Sequence, residues 1–130
     1  MIAVGVDLIE ISRIETMVER YGDRFLDRIY TEGELAYAAG RLSALAARWA
    51  AKEAAAKALG TGIGQVGFQE IEVICDAQGK PELWLHGNAA RLAARLNLRQ
   101  FSLSLSHTAD YALAFVVAQG CDDSQGGVVS

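Results

Sequence analysis

Residues 41–67 read RLSALAARWAAKEAAAKALGTGIGQVG, nineteen residues without glycine or proline and then four glycines in eight. The first part predicts a helix from Arg41 to Leu59, the longest in the chain, with Gly60 as its stop. Alanines at 47, 50, 51, 54, 55, 56 and 58 leave no bulky stripe on this helix. A helix of that kind lies buried on several sides, with neighbouring backbones close. The glycine run 60–67 supports neither helical nor strand periodicity and reads as a loop. At about 100° per residue, Arg41, Arg48 and Lys52 project near about 0°, 340° and 20°, on one line. Like charges four residues apart weaken a helix. The stripe therefore meets either an anionic ligand such as a polyphosphate or acids from other elements.

Upstream, Ile2, Val4 and Val6 alternate with Ala3, Gly5 and Asp7. The alternation predicts a strand with one apolar face, closed by Asp7 on the opposite face. Residues 10–21 take helical spacing through Ile11, Ile14, Met17 and Val18, and Gly22-Asp23 breaks or bends the helix before Phe25, Leu26 and Ile29 resume it. Thr31 and Glu34 fit a capping box that opens a short helix. Downstream, Ile71, Val73 and Cys75 form a strand, residues 76–81 (DAQGKP) a turn, and Leu83 and Leu85 the returning strand. A helix over 88–96 and two strands, through Phe101 to Leu105 and Ala112 to Val116, complete the pattern. The chain reads as one α+β domain over residues 1–119, an antiparallel sheet packed with the alanine-rich helix, followed by a disordered tail at 120–130.

Composition narrows the function. The chain has 130 residues, a net charge of −4 and 52% hydrophobic residues, which excludes global disorder and argues against a general nucleic-acid binder. Cys75 and Cys121 form no CxxC pair, so neither a disulfide scaffold nor a zinc site is indicated, and a reducing, cytoplasmic setting is expected. The N-terminus lacks the basic region of a signal peptide, and no apolar run is long enough to span a membrane.

Glu53 and Lys57 sit four residues apart in the favourable order, which by itself describes an ordinary intrahelical ion pair. Asp7 raises a second reading, because two carboxylates plus substrate phosphates are enough to hold Mg²⁺. On a continuous early helix, Arg13, Arg20, Arg24 and Arg28 segregate from Glu15, Glu19 and Asp23, giving a candidate dock for an acidic partner. The glycine loop follows its helix and lacks a GKS/T ending, so it is not a P-loop, although its amides can form an anion nest. Ser106, His107 and Asp110 do not make a catalytic triad, because neighbouring strand residues point to opposite faces.

Two segments, GVDLIEISRIE (5–15) and RWAAKEAAAKALGTGIG (48–64), resemble the paired signatures of the 4′-phosphopantetheinyl transferases. The short bacterial branch, the holo-[acyl-carrier-protein] synthase type, is the most similar. Residues 25–35, GKP at 79–81 and SLSHTADYA at 104–112 extend the resemblance to about residue 119, with Ala47 and Trp49 where the family commonly has Gly and Phe. It implies transfer of 4′-phosphopantetheine from coenzyme A to a serine of apo acyl carrier protein, with release of adenosine 3′,5′-bisphosphate, in fatty acid biosynthesis. It implies that Asp7 and Glu53 ligate Mg²⁺, that Glu53 or a water on the metal is the base, and that Lys57 stabilises phosphate charge. Arg48 and Lys52 would hold coenzyme A phosphates, and Gly60, Gly62, Gly64, Pro81, His107 and Thr108 would border the coenzyme. Arg13, Met17, Arg20, Arg24, Phe25 and Arg28 would dock the carrier protein. The branch further implies a homotrimer with an active site at each subunit interface. A non-catalytic coenzyme A-binding module of the same fold is the alternative.

Overall fold

The computed structural model describes residues 1–120; Gly120, which the sequence reading put in the tail, instead ends the last strand by pairing with Leu98, and the rest of that tail, residues 121–130, lies outside the described residues. Strand β1 (Ile2–Glu10) alternates, so Ala3, Gly5, Asp7 and Ile9 share one side and Ile2, Val4, Val6 and Leu8 the other. The first side faces helix α4 (Leu42–Ala58), whose backbone comes close enough that a Cβ on Gly5 would stand 1.8 Å from the Ala54 carbonyl oxygen. Only glycine fits such an approach. Strand β5 (Tyr111–Gly120) pairs antiparallel with β1 and with β4 (Leu98–His107), giving the order β1-β5-β4. Its inward residues Ala112, Ala114, Val116 and Ala118 meet α4 alanines across the same layer. Small side chains on both surfaces bring the helix unusually near the sheet.

This packing corrects one expectation and orients the strand. Strand β1 does not close at Asp7 but continues through Glu10, and Asp7 lies in mid-strand. The apolar side of the strand is also the outward one, with Ile2, Val4, Val6 and Leu8 between 51% and 68% exposed. The inner surface lies too close to α4 for branched side chains at every position, so the larger residues occupy the outer one.

Helix α1 (Ile11–Tyr21) ends at Gly22 in a positive-φ conformation, and α2 (Asp23–Ile29) follows as a separate helix. The capping box forms as read: the Glu34 amide donates to Thr31 Oγ1 and the Thr31 amide to Glu34 Oε1, opening α3 (Glu32–Ala38). A Schellman arrangement ends α4, with the Gly60 amide donating to the Lys57 carbonyl and the Thr61 amide to the Ala56 carbonyl. Strands β2 (Ile71–Cys75) and β3 (Pro81–Leu85) form a second, two-stranded sheet rather than joining the first. The reason is side-chain attachment: Glu34 of α3 accepts from the Val73 amide, and Lys52 of α4 donates to the Ile71 carbonyl, tying β2 to the helices. Helix α5 (Gly87–Arg95) then links β3 to β4.

The Gly5 contact predicts that Gly5→Ala lowers folding stability by about 3 kcal/mol, the upper part of the overpacking range, because the obstructing atom is backbone and cannot rotate away. Urea denaturation measures this. A loss below about 0.5 kcal/mol, the range of an inert surface change, would show that strand and helix can separate without consequence.

Candidate active site

Three groups meet where the inner face of β1 crosses the second half of α4. Lys57 Nζ donates to Asp7 Oδ1 at 3.2 Å and to the Val6 carbonyl at 3.0 Å, spanning the strand–helix seam. The Asp7 carboxylate is mostly covered, whereas half of the Lys57 side chain is exposed. Glu53, one turn before Lys57, has its carboxyl held above the usual glutamate range, first by burial and then by the charge of Asp7. Lys57 and Arg13 of α1 pull it back only in part.

A glutamate whose ionisation is opposed by burial and by a neighbouring aspartate charge is a group that a hard divalent cation relieves. Among the described residues no cluster of three or more His, Cys, Asp and Glu gathers as a ready metal cage. Magnesium commonly uses one or two carboxylates and takes its remaining oxygens from phosphate and water, so the Asp7–Glu53 donor set fits it.

A second group lies toward the other end of α4. A cavity of about 220 Å³ opens between α3, the start of α4, the β2–β3 hairpin and the end of β4, walled by Arg41, Arg48, Cys75, Pro81 and His107 among others. Arg48 is only 4% exposed. Its guanidinium lies 4.1 Å above the Tyr37 ring, with Nη1 donating to the Ala44 carbonyl and Nη2 to Cys75 Sγ, while Nε has no partner. A buried guanidinium without a carboxylate, and with one donor unused, is a group whose charge an anion would offset. Arg41 stands over the same Tyr37 ring at 5.0 Å and donates to the Ala38 and Tyr37 carbonyls.

Lys52 belongs to neither group. Its Nζ is 2.7 Å from Glu34 Oε1 and donates to the Phe68 and Ile71 carbonyls, with no exposure on either side chain of the pair. Burial pushes the Lys52 amine down, and Glu34 pulls it back up. The line of Arg41, Arg48 and Lys52 is thus not uniformly uncompensated: an acid from another element neutralises Lys52, whereas Arg48 has no carboxylate partner among the described residues. Lys52 holds β2 against α4 and is not placed to touch a ligand.

The remaining sequence candidates divide. Pro81 and His107 line the cavity with Arg48. Thr108 accepts from the Asp110 and Tyr111 amides through Oγ1 and so braces the β4–β5 turn. Gly60, Gly62 and Gly64, all at positive φ, lie beyond the Lys57 end of α4 and do not line that cavity. Arg13, Arg20, Arg24 and Arg28 are exposed as expected, but the Gly22 break divides them between α1 and α2. Met17 is half-buried and lines a shallow apolar groove with Ile9, Ile14 and Trp49. Phe25 is a correction: at 6% exposure it stacks on Trp49 and edges against Tyr30, so it supports the patch from beneath. Sequence reasoning missed Gly5, Tyr37 and the second duty of Glu34. The Glu34 duty needs three-dimensional proximity, whereas a glycine inside an otherwise branched strand was a readable signal of close backbone approach.

The Glu53 shift carries a sign. A carboxyl whose value is raised by folding favours the fold at pH below the ordinary glutamate value and opposes it once pH has passed the raised value. Glu53→Gln is therefore expected to raise the melting temperature in divalent-free buffer at neutral pH, with the gain shrinking as pH falls toward 4. Differential scanning calorimetry across that range checks it; an unchanged or lower melting temperature at neutral pH would contradict the strained-carboxylate description.

Comparison with known proteins shows the family and the fold. The family model of the 4′-phosphopantetheinyl transferase superfamily matches residues 3–116. A holo-[acyl-carrier-protein] synthase of Herpetosiphon aurantiacus is 52% identical over 127 residues, covering 92% of this chain and all of the relative. The crystal structure of the Neisseria meningitidis holo-[acyl-carrier-protein] synthase superposes with a TM-score of 0.84 at 40% identity, over 92% of this chain and 99% of that one. The Helicobacter pylori holo-[acyl-carrier-protein] synthase, solved in complex with coenzyme A, gives 0.82 at 32% identity over 89% and 99%.

Proposed function

The chain belongs to the 4′-phosphopantetheinyl transferase superfamily, and from that premise we propose how its own residues carry out the reaction of a holo-[acyl-carrier-protein] synthase. Coenzyme A donates its 4′-phosphopantetheine arm to a serine of apo acyl carrier protein, and adenosine 3′,5′-bisphosphate leaves. The observation that carries the reading is the convergence of Asp7, Glu53 and Lys57 at the β1–α4 seam.

Attack on the β-phosphate loads negative charge onto the phosphate oxygens and the leaving phosphate, so positioned cations do most of the catalytic work. Mg²⁺ held by Asp7 and Glu53 would supply charge neutralisation at the pyrophosphate. Lys57, anchored on Asp7 and the Val6 carbonyl, presents its ammonium to the same oxygens. Glu53, its carboxyl held above the usual glutamate range by burial and then by Asp7, is suited to take the serine proton. The buried Arg48 guanidinium, with Pro81 and His107 in the same wall, is suited to a phosphate of the coenzyme. Lys52 is left out because Glu34 already holds it. Arg13, Arg20, Arg24 and Arg28 offer a cationic surface to an acidic carrier protein, with Met17 and the groove beside it offering apolar contact. This reading places the enzyme in the cytoplasm and in fatty acid biosynthesis.

Intact-mass spectrometry of apo acyl carrier protein incubated with this chain, coenzyme A and Mg²⁺ tests the reaction. The carrier should gain one phosphopantetheine arm, the gain should vanish with EDTA, and Asp7→Ala and Glu53→Ala should slow it by about 10³-fold or more, the scale of losing a main electrostatic group. In the same assay Arg20→Glu should raise KM for the carrier and leave kcat nearly unchanged. No mass gain by folded protein with a competent carrier would overturn the transfer reading in favour of a coenzyme A-binding module.

The outer face of β1 and β5 supports a homotrimer. Val4, Val6 and Leu8 pair in register with Val117, Phe115 and Leu113, and all six are exposed. A contiguous apolar face of that kind marks an interaction surface. Sedimentation velocity should find a trimer for the chain and a smaller species for Val6→Glu; a monomeric wild-type chain would contradict the assembly.

A further inference from the structure

We propose that Cys75 is a thiol-exchange site inside the Arg48 cavity, where an anionic low-molecular-weight disulfide forms a mixed disulfide. The adduct would close the cavity to coenzyme A; that regulatory consequence rests on the function proposed above, whereas the exchange does not.

Cys75 is a free thiol at the end of β2, half-buried and one of the residues that wall the cavity. Arg48 Nη2 donates to its Sγ at 3.5 Å. The second, independent observation is Arg48 itself, more than nine-tenths buried in that wall and carrying an Nε with no partner. Arg41 adds a second guanidinium to the wall. The cavity thus collects an anionic reagent and holds it beside a sulfur nucleophile.

The step balances without a further reactant. Cys75 gives its proton to solvent, and its thiolate attacks one sulfur of the disulfide. The Cys75 sulfur–sulfur bond forms as the reagent's own breaks, and the other half leaves as a thiolate. Cys75 is oxidised and the reagent reduced. The attached half occupies the space bounded by Arg48, Pro81 and His107, and a dithiol reverses the reaction.

The test uses the full chain carrying Cys121→Ser, so that a single thiol is counted. Labelling rates with bis(carboxynitrophenyl) disulfide, a dianion, and with neutral dipyridyl disulfide are each divided by the rate for free cysteine. The normalised anionic rate should exceed the neutral one by about tenfold or more, the scale of electrostatic steering, and should fall in Arg41→Gln and at high salt. Peptide mapping should place the adduct on Cys75, and Cys75→Ser should take none. Calorimetry should show coenzyme A binding lost on labelling and restored by dithiothreitol. A normalised ratio near one, or an adduct that leaves coenzyme A binding intact, overturns the proposal. Should the unlabelled chain fail to bind coenzyme A, the proposed function falls, and the rate ratio alone decides the exchange site.

Discussion

The contact between the Gly5 backbone and the Ala54 carbonyl sets the geometry of everything that follows. A side chain at position 5 would push β1 off α4 and carry Asp7 away from Glu53 and Lys57. The alanines of α4 and of β5 make the same allowance across the rest of the layer. Close backbone packing gives up the large transfer free energy of bulky side chains. In exchange it fixes a strand and a helix at a separation that no rotamer change can alter, and that rigidity places two carboxylates and an amine within reach of one another.

The cations of α4 show how burial sorts charges that look alike in sequence. Lys52 enters the interior with a full set of partners, an arrangement whose disruption from one side costs about 3–5 kcal/mol. Arg48 enters almost as deeply but meets a tyrosine face, a thiol and a weak backbone acceptor, so its donors are not all used. Lys57, at the open end, is half in solvent, so its ion pair with Asp7 is only partly shielded. One lysine is locked among its partners, the arginine keeps a donor unused, and the other lysine stays open to solvent.

The pattern of residues made much of this legible. The ends of α4, the capping box at Thr31 and the hairpin around Gly79 all rest on local chemistry, and local chemistry is what a sequence displays. Asp7, Glu53 and Lys57 were also recoverable, because their spacing within two short segments resembles a known family. The inner side of β1 was not, since Ile2, Val4 and Val6 look like a core face until the closeness of α4 is known. The division between Arg48 and Lys52 depended on Glu34, whose helix begins ten residues before α4 and whose visible role was that of a cap. Phe25 looked like a surface contact beside its arginines, yet Trp49 and Tyr30 draw it inward.

Strand β1 carries two unrelated duties on alternate residues: Asp7 and Gly5 on its inner face, and Val4, Val6 and Leu8 on its outer one. A strand has a period of two, so a shift of one position exchanges the two faces completely. Losing Val6 would hardly alter composition, yet with Asp7 still paired to β5 it would bring Val4 to the place where Gly5 now meets the α4 carbonyl. The strand can therefore drift in the identity of many side chains over evolutionary time, but the spacing from Gly5 to Asp7 cannot change, and insertions or deletions between them should be far rarer than replacements.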